Sequence, residues 1–304
     1  MSKFINKYFL RAFSVLIFIG LYPCSLTLAQ SDSTRLLSTL EQLCTEVAGG
    51  RKPGTEGHRW ARDFILDEFK SIGLQPIGEN FLQSSHAPNG LRLYNIHGMI
   101  RGKTDRYMLV TAHYDHLGET DGGLYYGCDD NASGVATMLE IARFYANNTP
   151  EHSLIFIAFD MEELGLLGAE HWVNHPPVPL KKINLILNMD MVSKNDKNEI
   201  FASGTSHQPK LKPSVEAAAQ GFERLSVKFG HDNSKTRDQD WTYSSDHGPF
   251  YSKGVPYLYF GVEDHPHYHQ PTDTFERTNF SFYWQVTNFM IATVDQLDKY
   301  LANE

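Results

Sequence analysis

Three short apolar runs in this chain are each followed closely by a histidine or a carboxylate, and this pattern constrains the fold most. Residues 107–112 lead into His113, residues 154–159 (LIFIAF) into Glu162 and Glu163, and residues 183–189 into Asp190. A fourth apolar run covers residues 255–260. Runs this short suit strands buried on both faces. Between and around them, residues 34–47, 57–72, 132–145 and 164–174 carry apolar positions at helical spacing. A closing helix is expected over 278–301, where Phe282, Val286, Met290, Val294, Leu297 and Leu301 recur every three or four residues. Strands alternating with helices predict a single α/β domain with a mostly parallel central sheet covered by helices on both faces. In open sheets of this kind, ligands gather outside the carboxyl ends of the strands. Three strand ends then deliver histidine or carboxylate side chains to one rim.

The 304 residues, 41% of them hydrophobic, are enough for one large core. A formal net charge of -9 argues against a nucleic-acid partner, whose phosphates attract a basic face. Residues 1–29 read as a signal peptide rather than as part of the fold. Lys3, Lys7 and Arg11 form a positive leader, residues 13–22 are almost wholly apolar, and Thr27 and Ala29 supply the small residues of a cleavage site. The apolar stretch falls short of the ~20 residues that span a bilayer, so no membrane span is expected after cleavage. Pro23 beside Cys24 argues against lipidation there. The expected mature domain is 30–304, exported to the periplasm or the medium. It keeps only Cys44 and Cys128, whose pairing the sequence leaves open. Cys128 reads as a small buried residue without a catalytic role.

Five residues of metal-ligand type stand in order along the mature chain: His113, Asp129, Glu163, Asp190 and His269. Two imidazoles and three carboxylates suit a pair of zinc-like ions if one carboxylate bridges them. A solvated helix start explains an isolated Glu-Glu pair, and helix capping explains Asp130 or Asn131. Neither explains why the other strand ends are also acidic or carry histidine. His265, His267 and His269 alternate as a tri-histidine strand would, but Pro266 and the turn residues downstream point to a loop.

The strings AHYDHLG (112–118), GCDDNASGVA (127–136), DMEELGLLGA (160–169), NMDM (188–191), SSDHGPF (244–250) and HPHYHQPTDT (265–274) resemble those of the co-catalytic two-zinc aminopeptidases, relatives of glutaminyl cyclase and glutamate carboxypeptidase. The resemblance covers roughly residues 49–274. It implies two Zn2+ per chain, with other divalent metals also suited. Asp129 would bridge them, Glu163 and His269 would complete one ion's protein ligands, and His113 and Asp190 the other's. It makes Glu162 the general base, Asp115 the carboxylate that orients the His113 ring, and the Asp129–Asp130 peptide bond cis. His116 and His247 are expected in outer, hydrogen-bonding roles. Tyr243, a candidate oxyanion donor, lies one residue off the family spacing and is left outside the expected site.

The function implied is an aminopeptidase acting on peptides with a free N-terminus. The rivals are a single-zinc glutaminyl-peptide cyclotransferase and an inactive peptide-binding relative. A glutamate-type carboxypeptidase would need a basic pocket, and no Arg cluster is evident. The complete second-metal set favours the hydrolase.

Overall fold

The computed structural model describes residues 31–233 and 239–304, so the expected leader over 1–29 lies outside the described residues. Helices α1 (Ser33–Leu43) and α2 (Glu56–Ile72) come first. They are followed by strands β1 (Gln75–Pro76), β2 (Leu82–His86), β3 (Arg92–Ile100) and β4 (Tyr107–His113) and the hairpin of β5 (Gly118–Thr120) with β6 (Gly123–Tyr125). Next are α3 (Gly134–Ala146), β7 (Ser153–Phe159), α4 (Leu167–Asn174), β8 (Ile183–Met189), β9 (Glu199–Ser203) and α5 (Lys212–Ala219). The chain closes with β10 (Ser226–Phe229), α6 (His247–Ser252), β11 (Tyr257–Gly261) and α7 (Phe280–Ala302).

The main sheet has the order β1-β3-β7-β4-β8-β11-β9-β10, with β2 paired to β3. Its centre, β7-β4-β8-β11, is parallel throughout. Antiparallel pairing enters only outside that centre, where β3 meets β7 and β9 meets β11, with β1 and β2 both antiparallel to β3. The architecture is the expected α/β domain.

Side-chain alternation explains the two covered faces. Along β7, Leu154, Phe156 and Ala158 join one apolar cluster, while Ile155, Ile157 and Phe159 join another. A strand buried on both faces reads as a continuous apolar run because successive residues point opposite ways. The first cluster takes in α1, α2, α3 and α7, and the second packs Trp172 of α4 and Phe250 of α6 against the sheet. Helix ends follow local chemistry. The Thr55 hydroxyl caps α2 by accepting the His58 N–H, and Gly73, at φ 89°, ends it in a left-handed turn. Cys44 and Cys128 are paired in a disulfide, with Cα atoms 5.4 Å apart, joining the end of α1 to the segment before α3.

Candidate metal centre

The four adjacent parallel strands all end at one rim. His113 is the last residue of β4, the Glu162–Glu163 turn follows β7, Asp190 follows β8, and the loop carrying His269 follows β11. A widened helical turn over Cys128–Ser133 brings its carboxylates to the same rim, ahead of α3. The Asn131 side chain ties that turn to the sheet by donating to the Met189 carbonyl at 2.9 Å.

Two groups of ligand atoms converge there, and among the described residues they are the only clusters of metal-ligand type. One is His116, Asp130, Glu163 and His269; the other is His113, Glu162 and Asp190. The carboxylate of Asp130 is divided between them. Its Oδ1 lies 3.3 Å from His113 Nε2, and its Oδ2 lies 3.1 Å from His269 Nε2. His113 Nε2 is also 3.3 Å from Asp190 Oδ1, and His269 Nε2 is 3.2 Å from Glu163 Oε2.

Asp129, expected as the bridging ligand, is not in either group. Its Oδ1 accepts from the Ser193 N–H at 2.7 Å and the Ser193 hydroxyl at 2.8 Å, and its Oδ2 lies 2.9 Å from His265 Nε2. In Asp-Asp-Asn it is thus the second aspartate that faces both histidines, and the first is a strut for neighbouring loops. The cis peptide bond moves by the same single residue, to Asp130–Asn131.

Asp115 also differs in detail from its expected role. His113 Nδ1 sits 3.2 Å from the Asp115 carbonyl and 3.8 Å from its carboxylate. The carboxylate instead accepts the amide N–H groups of Glu162 and Glu163. It orients the glutamate turn more than the imidazole. His116, expected in an outer role, has its Nδ1 2.7 Å from Glu163 Oε1 and belongs to the first group. Tyr243 is exposed and does not line the cleft.

The electrostatics are those of a site built to hold positive charge. Burial works against ionisation of Asp130, but His116, His113 and His269 outweigh it and hold its carboxyl well below the usual range. The imidazole of His269 is raised to about 10 by its hydrogen bonds to Asp130 and Glu163. His113 is raised well above the ordinary value, because Asp190, Glu162 and Asp130 outweigh the opposing effect of burial. Glu162 is pushed well above the carboxylate range by burial, against the pull of His113 and with help from Asp190 and Asp246. Asp246, whose two oxygens are buried without a hydrogen-bond partner, is raised by burial too. The His113 and His269 imidazoles and the Asp130 carboxylate favour one another's charged forms here. Divalent ions would favour the charged carboxylate too, and imidazole nitrogen with carboxylate oxygen is a donor set that suits zinc.

Two buried residues that the sequence reading did not single out support the site. The Arg51 guanidinium donates to the carbonyls of Tyr114, Leu43, Tyr126 and Gly127 at 2.6–2.8 Å, which pins the loops carrying His116 and Asp130. Asp273 accepts the amide N–H groups of Asp129 and Asp130 and an ion pair from Lys194 at 3.0 Å. Arg51 stands in the loop GGRKPGTEG and Asp273 in HPHYHQPTDT. Both look like ordinary loop charges in sequence, and only their burial sets them apart.

A cleft of about 300 Å³ opens onto both groups, lined also by Met191, Asp240, Trp241, Tyr259, Asp264 and Tyr268. Among the described residues, no lysine or arginine lines it.

Residues 95–294 match the family model described as peptidase family M28. Aminopeptidase YwaD of Bacillus subtilis is 31% identical over 238 residues, covering 71% of this chain and 49% of that protein. An aminopeptidase of Pseudomonas aeruginosa is 31% identical over 167 residues, covering 54% of this chain and 30% of that one. The chain thus spans at most about half the length of these curated relatives. Among solved structures, Porphyromonas gingivalis glutaminyl cyclase superposes with a TM-score of 0.72 at 21% identity, over 87% of this chain and 98% of that one. The zinc aminopeptidase BSAP of Bacillus subtilis gives 0.69 at 20% identity, over 86% and 94%. At such identities these structures show a shared fold.

Proposed function

The chain belongs to peptidase family M28, and from that premise we propose that it is an exported, two-zinc aminopeptidase that removes N-terminal residues from peptides. The observation that carries this reading is the division of the Asp130 carboxylate between two donor groups at one rim. Asp130, Glu163 and His269 would hold one ion, and His113, Asp130 and Asp190 the other. Bound there, zinc supplies Lewis acidity, polarising a carbonyl and lowering the pKa of water from about 15.7 toward about 7.

The protein's own part falls to Glu162. Its carboxylate takes a proton from the attacking water and passes it to the departing amine. Burial raises its pKa above the usual carboxylate range, the direction that helps it hold a proton for the departing amine. Asp115 holds the Glu162 amide, so the base starts from a fixed backbone position. Asp190, Asp240 and Asp264 make the cleft acidic, which favours an α-ammonium group and disfavours a substrate carboxylate. Export is supported by the leader over residues 1–29 and by the disulfide, which suits an oxidising compartment. No helix among the described residues is long and apolar enough to cross a membrane.

A second reading, glutaminyl cyclase, is favoured by the 0.72 TM-score to the Porphyromonas gingivalis enzyme. One peptide separates the two. Mass spectrometry of a Gln-initiated peptide should show loss of the whole first residue, and N-acetylated substrates should stay intact. Loss of ammonia alone, with the next bond uncut, overturns the aminopeptidase reading in favour of the cyclase.

A further inference from the structure

The two groups of donor atoms are unequal, and the inequality comes from His116. Its side chain is fully buried, with Nδ1 2.7 Å from Glu163 Oε1 and 3.7 Å from Asp130 Oδ2. On the other side of the group, His269 Nε2 lies 3.1 Å from Asp130 Oδ2 and 3.2 Å from Glu163 Oε2. Four ligands at the zinc–nitrogen and zinc–oxygen distance of about 2.0–2.1 Å stand roughly 3.3–3.4 Å apart along the edges of a tetrahedron. The measured spans bracket that edge. The second group reaches the same spacing with fewer side chains, His113 Nε2 being 3.3 Å from Asp130 Oδ1 and from Asp190 Oδ1. Its remaining member, Glu162, is the group assigned above to proton transfer.

The His116 ring is held in place and has little else to do. A Cβ on Gly127 would lie 2.4 Å from the ring's Cγ and Cδ2, so only glycine leaves room for it there. The His116 amide N–H donates to the Arg51 carbonyl, and the Arg51 guanidinium holds Tyr114 and Gly127 on either side. The ring's Nε2 is buried and has no hydrogen-bond partner, so Nδ1 is its one polar contact, and Nδ1 faces the donor group.

We propose that His116 is a fourth protein ligand, which closes one metal position with four side chains while the other keeps three and stays open. Sites filled by four protein ligands hold metal structurally, whereas three ligands leave a place for water or substrate. The ion beside His116 is therefore the resident one, and the ion at His113 and Asp190 is the exchangeable one that meets substrate. The inference rests on the proposed two-metal centre.

The test is stepwise loading of the metal-stripped, full mature protein with Co2+, followed by visible absorption and by competition with a chelator. The first equivalent should give the intense bands of four-coordinate Co2+, and the second should bind more weakly. In His116→Ala those bands should disappear and first-site affinity should fall by more than the ~10–100-fold that losing an outer hydrogen bond costs. Added imidazole should restore the bands. A variant with unchanged bands makes His116 a hydrogen-bond donor to Glu163 and overturns the proposal, leaving the two-metal reading intact. If the variant fails to fold, the wild-type spectrum decides, since weak bands of higher coordination at the first equivalent also overturn it. Protein that binds no ion at all overturns both readings.

Discussion

The carboxylate of Asp115 accepts the Glu162 amide N–H at 3.0 Å, and its other oxygen accepts the Glu163 amide at 3.3 Å. One buried side chain on the β4 rim therefore sets the backbone of both glutamates on the β7 rim. Beyond that shared anchor their side chains part. Glu163 meets His116 and His269, and Glu162 joins His113 and Asp190.

Substitution should separate the two glutamates. Glu162→Gln keeps the size of the side chain and the Asp115 anchor but removes the proton acceptor. Its kcat should fall by about 10²–10⁴-fold with zinc content near that of wild type. Glu163→Gln removes a charged partner from His116 and His269, so metal content should fall along with activity. Elemental analysis beside kcat makes the comparison, and equal metal loss in the two variants would contradict the division.

The sequence was most readable where chemistry and periodicity coincide. The strands at 107–112, 154–159 and 183–189 and the long last helix match β4, β7, β8 and α7 within a residue or two. Each is apolar enough to be buried on both faces or carries a clean helical stripe. Strand β3 carries no such signal, because Asn95 and His97 interrupt its apolar pattern. Their polarity is satisfied inside the fold, with Asn95 donating to the Gly168 carbonyl and His97 accepting from Trp172. The aspartate that faces both histidines stands one residue later than the sequence suggests. Asp129 and Asp130 are chemically identical in sequence, and only the chain's path through Cys128–Ser133 decides which one turns toward the histidines. His116 looks peripheral in sequence because burial and the approach of Glu163 are tertiary facts.

Arg51 should prove structurally indispensable despite standing outside the donor groups. Its guanidinium satisfies three buried carbonyls and a half-buried one from three separate segments, and a buried carbonyl left without a partner costs about 1–3 kcal/mol. A lysine keeps the charge but cannot reproduce the planar fork. Arg51→Lys should lower the denaturation midpoint by several kcal/mol's worth of stability and weaken metal retention, because the loops of His116 and Asp130 lose a common tether. Urea unfolding of the metal-free and metal-loaded forms checks both effects. A variant with wild-type midpoint and metal content would show that the loops hold themselves.

Acid sensitivity should trace in part to His97, which belongs to neither donor group. Burial holds its imidazole down to about 4, against an ordinary value of 6.5, and the Trp172 indole N–H donates to its Nδ1 at 3.3 Å. The folded pKa is the depressed one, so between these values the unfolded chain takes up a proton that the folded chain refuses. The contribution is fully present above about pH 6.5 and is lost as pH falls toward 4, each unit being worth at most about 1.4 kcal/mol. His97→Gln keeps an acceptor for Trp172 and removes the titration. Its Tm should fall less steeply than that of wild type between pH 6.5 and 4, and parallel curves would exclude His97 as a source of the slope.

The neighbouring aspartates provide the sharpest test of the site's geometry. Asp130 faces His113 through one oxygen and His269 through the other, whereas Asp129 is spent on Ser193 and His265. Asp130→Asn removes the charge shared by both donor groups, so both ions should be lost or greatly weakened and activity abolished. Asp129→Asn leaves the donor atoms in place. It should cost ~1–3 kcal/mol of stability through its buried hydrogen bonds, with metal content near two per chain. Metal analysis and thermal unfolding of the pair distinguish these outcomes. Should Asp129→Asn instead strip both ions while Asp130→Asn keeps them, the bridge belongs one residue earlier, and the two donor groups do not share Asp130.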